Sequence, residues 1–209
     1  EFKPDLVIPF AVTKEDAKRK FVEYCKKSFL TPNEFKKNEN LKKIKGIYAP
    51  YWLHSFVADA SAEIDCENVT TKRRGDDKVI IHHEYLVSID AEGFFDKIPT
   101  DALKHLNNDM MDALEPFNYE HLEKFHSGYM AGFYAEEYNE TSEENFPRAR
   151  ERAKKTMMNK MLSEAGKYEY KTMRRYKDQI EDYNPSYAML PVWLLHTEYR
   201  GKEYIYAIN

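Results

Sequence analysis

The chain has 209 residues, 42% of them hydrophobic and 33% charged, a balance that suits one or two folded domains and excludes a wholly disordered polymer. No apolar run approaches the ~20 residues needed to cross a bilayer and no signal peptide opens the sequence, so the expectation is a soluble, cytoplasmic chain. Cys25 and Cys66 are its two cysteines, too few for a disulfide framework or a Cys-rich zinc site. The net charge of −4 conceals blocks: residues 14–45 hold eleven Lys/Arg against five Asp/Glu, residues 84–146 three against fifteen, and residues 147–177 eleven against three. Such blocks are either faces that meet in the fold or basic surfaces offered to an acidic partner, and composition does not separate the two.

After a short strand at Leu6-Val7-Ile8, a helix is predicted from Thr13, whose hydroxyl accepts from a free helix-end amide while Asp16 reaches back. Its apolar side is Ala17, Phe21, Tyr24, Cys25 and Phe29. A second start signal, Thr31-Pro32-Asn33-Glu34, predicts a shorter helix anchored by Phe35 and Leu41. From Ile47 the period becomes two: Phe56, Ala58, Ala60, Ala62, Ile64 and Cys66 alternate with polar residues, a strand with one wet face against whose alanines something packs closely. The next strand, Val79 to Ile89, follows a polar stretch around Gly75, which predicts an antiparallel hairpin.

Helical spacing returns at Leu103, Leu106, Met110 and Leu114 behind a Thr100-Asp101 cap, and an aromatic stripe of Leu122, Phe125, Tyr129 and Phe133 follows. A longer helix opens at Ser142, with Ala149, Ala153, Met157, Met161 and Ala165 on one side and Gly166 as its stop. Three helices in series are therefore expected between residues 100 and 166. The end is strand-like, with Lys167 to Tyr176 alternating, Tyr187 to Tyr199 apolar, and Arg200-Gly201 turning into Glu203 to Ile208. Pro50-Tyr51-Trp52-Leu53-His54 recurs as Pro191-Val192-Trp193-Leu194-Leu195-His196. Both tryptophans fall in these copies, each read as the start of a strand. The reading is one α+β domain over 1–209 with antiparallel strands and helices, and the repeat leaves open two related helix-then-strand halves, 1–97 and 98–209, or two unrelated strands that begin with Pro.

Chemistry-bearing motifs are sparse. His82 and Glu84 share a strand face, the weak start of a metal site that needs a third ligand; His83 reads as a hydrogen-bonded half-core residue and His82 as surface. His121 and His126 diverge on a helix. No Gly-x-Ser-x-Gly elbow and no Gly-x-x-x-x-Gly-Lys-Ser/Thr loop occurs, paired acids such as Glu136-Glu137 read as solvated charge, and no catalytic residue is assigned. For nucleic acid the candidate surface is Arg148, Arg150, Arg152, Lys154 and Lys155, followed by Tyr168, Tyr170, Arg174 and Arg175, where cations neutralise phosphates and aromatics stack on bases. The same residues are read first as a protein-partner surface, with nucleic acid as the alternative, because the acidic residues from Glu84 to Glu144 could cover this face and the net charge is negative.

Val7-Ile8-Pro9-Phe10 with Thr13-Lys14-Glu15-Asp16-Ala17, Gly46-Ile47-Tyr48-Ala49-Pro50-Tyr51-Trp52-Leu53, Gly128-Tyr129-Met130-Ala131-Gly132-Phe133-Tyr134-Ala135-Glu136-Glu137-Tyr138 and Leu190-Pro191-Val192-Trp193-Leu194 together resemble a family of Firmicutes-type bacterial proteins. That family carries an N-terminal zinc ribbon of the transcription-factor-B type and is often given primosomal or helicase labels. The resemblance implies a domain downstream of the ribbon, zinc held in the ribbon and not in this chain, which has no Cys-x-x-Cys pair, and in many relatives a membrane segment after it. None of the matching segments is a catalytic motif. The functional expectation is a non-catalytic interaction or ligand-sensing domain with a protein partner, the alternative being a nucleic-acid-associated module that uses the basic helix and the Tyr-rich strand.

Overall fold

The computed structural model describes residues 3–27, 43–199 and 202–209. Their elements run β1 (Leu6–Val7), α1 (Lys14–Lys27), β2 (Lys45–Arg74), β3 (Asp77–Asp101), α2 (Asn108–Asp112), β4 (Glu123–Lys124), β5 (Tyr134–Ala135), α3 (Ser142–Glu164), β6 (Tyr170–Tyr199) and β7 (Lys202–Ile208). Strand pairing follows the order β3-β2-β6-β1-β4, with β5 on β2 and β7 on β6. The fold is α+β. Its sheet is mixed, not antiparallel throughout, because β1 lies parallel to β6 (Leu6 opposite Ala188) and β5 parallel to β2 (Ile47 opposite Tyr134). The chain forms two compact units, the first made of Glu1–Leu53, Pro99–Asn145 and Pro185–Asn209, the second of His54–Ile98 and Phe146–Asn184. These differ from the halves 1–97 and 98–209, since β2, β3, α3 and β6 each contribute residues to both units.

In the first unit, Thr13 caps α1: its hydroxyl accepts from the Asp16 amide at 3.2 Å and donates to the Asp16 carboxylate at 2.8 Å. Ala17, Phe21 and Cys25 are buried on one side of α1, packed with Ile44 and Trp193, whereas Tyr24 is exposed. The helix predicted from Thr31 and the turn Arg200-Gly201 lie outside the described residues; the strands on either side of that turn pair antiparallel, Tyr199 opposite Lys202.

Residues 100–138 depart from expectation. Thr100 and Asp101 end β3 instead of capping a helix, because the Thr100 hydroxyl donates to the buried Asn145 side chain. The helix is only Asn108–Asp112, capped by Asn107, whose side chain accepts from the Met110 amide at 3.0 Å. The aromatic stripe is not helical either. Asn118 and His126 each accept from an amide two residues on, closing 3-10 turns at Tyr119–His121 and Ser127–Met130, and Gly132 takes φ +86°. β4, between those turns, pairs with β1, and β5, after the second, pairs with β2.

The two Pro-Trp segments sit within long strands, Pro50 as the sixth residue of β2 and Pro191 far along β6, not at strand starts. Both indole rings are buried. Trp52 donates its N–H to the Glu140 carbonyl at 2.9 Å and lies against Tyr138 and Tyr187; Trp193 donates to the Val12 carbonyl at 3.0 Å and lies against Phe10 and Phe133.

The second unit is simpler. β2 and β3 are joined by the two-residue turn Gly75-Asp76, with Gly75 at φ +65°, a connection open only to an antiparallel pair. β6 flanks β2 on its other side. α3 starts within the first unit, where its capping box uses Thr141, whose hydroxyl accepts from the Glu144 amide while the Glu144 carboxylate accepts from the Thr141 amide at 3.0 Å. Gly166, at φ +106°, ends it. Ala149, Ala153, Met157, Met161 and Ala165 bury one face of α3 against Phe56, Ala58, Ala60, Ala62, Ile64 and Cys66 of β2. The alanines set the approach. A methyl added at Gly93 on β3 would stand 2.5 Å from the Met157 sulfur, so helix and sheet meet at van der Waals contact.

Candidate interaction surface

With Ala60, Ala62, Ile64 and Cys66 turned toward α3, the strand period of two sends Asp59, Ser61, Glu63, Asp65 and Glu67 to the opposite face. On β3, Val87, Ile89, Ala91 and Phe95 pack toward α3, so Leu86, Ser88, Asp90, Glu92 and Phe94 share that opposite face. It stays open: Phe94 is 74% and Leu86 54% exposed. Shallow grooves cross it, one lined by Asp59, Asp90, Glu92 and Lys177 and another by Asp65, Glu84, Leu86 and Arg174. The result is an acidic sheet face with large apolar side chains set among the charges. Sequence reasoning passed over it, although Leu86 and Phe94 alternate out of phase with the buried positions of β3; their apolar character outside the core-facing phase was the available signal.

The basic segment faces a different set of partners from those its charge block suggested. Arg150 on α3 donates to Asp178 of β6 at 3.0 Å, a bond that raises the guanidinium pKa. Arg174 lies 3.6 Å from Asp65, and Arg175 donates to Glu63 at 3.3 Å. Lys154 pairs with Glu151 and stands over the Tyr176 ring. Arg148 and Arg152 are half-buried and Lys155 is exposed. Tyr168 packs on the α3 core and against Tyr85, while Tyr170 is 61% exposed. The stretch is therefore spread over a helix and the adjoining strand, with Arg150, Arg174 and Arg175 drawn to carboxylates of β2 and β6, while Tyr168 is packed and Tyr170 exposed.

Toward the hairpin tip the sheet runs past α3, whose last packed residue, Ala165, belongs with Cys66. His82 and His83 are both exposed there for that reason, which corrects the half-core placement of His83. His82 contacts the Glu67 carboxylate, and His83 Nε2 lies 3.1 Å from the Thr70 hydroxyl. Glu84 lines the second groove together with Glu67. Among the described residues, no group of three or more His, Cys, Asp or Glu side chains is placed to hold a metal ion. Cys25 and Cys66 are both buried as free thiols, and burial pushes the Cys66 thiol up.

The first unit carries an apolar cleft of about 590 Å³ between α1, α2 and β7, lined by Phe21, Tyr24, Met110, Leu114 and Ile208. Behind it the Tyr51 ring is buried edge-on to Phe117, and its hydroxyl pKa is raised by burial, then by the nearby Asp101 and Glu115 carboxylates. Among the described residues no helix is long and apolar enough to cross a membrane.

No family model matches the chain, and no solved structure matches it. The chain is similar to an uncharacterised protein, YdjG, of Bacillus subtilis (strain 168), at 34% identity over 206 residues, which is 99% of this chain and 60% of that protein. It thus spans about three fifths of the length of that relative.

Proposed function

We propose that this chain is a non-catalytic interaction domain of a longer protein and that it docks a protein partner on the face of the second unit's sheet opposite α3. The observation that carries the reading is the exposure of Leu86 and Phe94 beside Asp90 and Glu92 on that face. Large apolar side chains at 54% and 74% exposure, rimmed by carboxylates, suit a segment that brings apolar groups flanked by Lys or Arg. In this reading the zinc ribbon and the following membrane segment implied by the resemblance belong to parts of the protein outside these residues, zinc is held in the ribbon, and the domain works in the cytoplasm. A ligand-sensing role would use the apolar cleft of the first unit. The nucleic-acid alternative draws on Arg150, Arg174 and Arg175, whose ion pairs with Asp178, Asp65 and Glu63 compete with phosphate; that competition favours a protein partner.

The test places a photoreactive phenylalanine analogue at position 94 or 86 of the full-length protein in cells. A discrete protein adduct from these positions is expected, and none from the exposed Thr156 on α3. Adducts confined to the α3 side, or salt-sensitive micromolar binding of the purified chain to DNA or RNA, would overturn the reading.

A further inference from the structure

The sheet of the second unit has three strands and hence two edges. β3 ends the pairing order. β6 has β2 on one side, and among the described residues its registers with β1 and β7 start at Ala188 and Trp193. Among the described residues no strand pairs with the outer side of β3 or with β6 before Ala188 on the side away from β2; long unpaired edges are templates for adding a strand, and these two carry opposite charge. From Glu84 to Asp96, β3 holds four acids and no Lys or Arg; from Tyr170 to Lys177, β6 holds four cations and no acid.

The charges also match in position across the sheet. One groove contains Asp90 and Glu92 of β3 together with Lys177 of β6, and the next contains Glu84 of β3 together with Arg174 of β6. Acid on one edge and base on the other therefore stand at the same two levels. A copy shifted sideways in the plane of the sheet brings Lys177 to Asp90 and Glu92, and Arg174 to Glu84. Two-fold pairing of like edges, β3 on β3 or β6 on β6, sets acid against acid or base against base, which destabilises cross-strand neighbours.

We propose that a second copy of this chain adds edge to edge, the β6 edge of one copy on the β3 edge of the next. The contact is heterologous, so each added copy presents the same edge again and the assembly extends. It shares Asp90 and Glu92 with the partner-docking reading but leaves Leu86 and Phe94 open, so self-assembly of the isolated chain and adducts at positions 86 and 94 are read separately.

Sedimentation velocity of the purified 209-residue chain tests it. At about 0.01 M salt, where exposed charges act over long range, species heavier than the 24.8 kDa monomer are expected, growing with concentration and dissolving at about 1 M salt. Arg174→Glu with Lys177→Glu cancels the net positive charge of the β6 edge, and Glu84→Lys with Asp90→Lys cancels the net negative charge of the β3 edge; each variant alone should be monomeric with an unchanged circular dichroism spectrum. Mixing the two variants opposes acid to base again and should restore the heavier species. A wild-type chain that stays monomeric at every concentration, variants that assemble as the wild type does, or a mixture that stays monomeric would each overturn the proposal.

Discussion

Replacing Trp193 with Ala probes how the first unit is held together. The ring is 7% exposed, with centroids 5.1 Å from Phe10 and 6.2 Å from Phe133, and its N–H donates to the Val12 carbonyl at 3.0 Å. An aromatic side chain buries about 150–250 Å², which at about 25 cal/mol per Å² is roughly 4–6 kcal/mol of transfer energy. Alanine keeps part of that burial, and the unfolded chain is less extended than the reference, whereas the two edge-on ring contacts and the lost hydrogen bond add to the loss. The expected cost is about 3–5 kcal/mol. Trp193→Phe should cost less, about 1–3 kcal/mol, because the ring contacts survive and mainly the Val12 carbonyl loses its donor. Urea unfolding followed by far-ultraviolet circular dichroism and by the fluorescence of Trp52, in the same unit, measures both. A loss below about 1.5 kcal/mol for Trp193→Ala would refute the reasoning, since it would mean that the ring is not a packed part of this core.

On the other unit, Gly93→Ala brings a methyl to 2.5 Å from the Met157 sulfur and should cost about 1–3 kcal/mol; adding Met157→Ala removes the clash, so a double-mutant cycle should show strong coupling, and simple additivity would refute the close approach. Glu144 has its carboxyl pKa held below the ordinary 4.5, first by the Thr141 amide and then by Lys104. A carboxylate depressed on folding adds stability above its ordinary value that is lost as the pH falls below 4.5. Glu144→Gln should therefore lower the melting temperature near neutral pH and leave it unchanged at about pH 2; an equal effect at both would refute the assignment.

Where one interaction type governed a segment, the sequence was a sufficient guide. The alternation from Phe56 to Cys66 and the Ala149 to Ala165 stripe are two halves of one contact, so each was visible as a periodicity and even the small size of the alanines pointed to close packing. Thr13 and Gly166 were legible because capping is local. Between residues 100 and 138 the deciding partners are remote. Thr100 meets Asn145, 45 residues on, and Ala135 pairs with Tyr48. The apolar spacing of Leu103, Leu106, Met110 and Leu114 does not report such partners, and the side-chain caps at Asn107, Asn118 and His126 cut the helical pattern into single turns. The open sheet face was missed for a related reason. Leu86 and Phe94 count as hydrophobic in composition, and only the position of α3 decides which phase of β3 is core.

The charge blocks show how far a linear reading of electrostatics reaches. Acids of residues 84–146 were candidates to cover the basic run of residues 147–177, yet Arg174 and Arg175 pair with Asp65 and Glu63, which precede that acidic block, and Arg150 pairs with Asp178, which follows the basic one. The reason is topological. β2 lies between β3 and β6, so the carboxylates nearest to β6 are those of β2, while the acids of β3 remain on the far edge. Segregation along the chain thus becomes segregation across the sheet, with an acidic edge on β3 and a basic edge on β6 held apart by the width of β2.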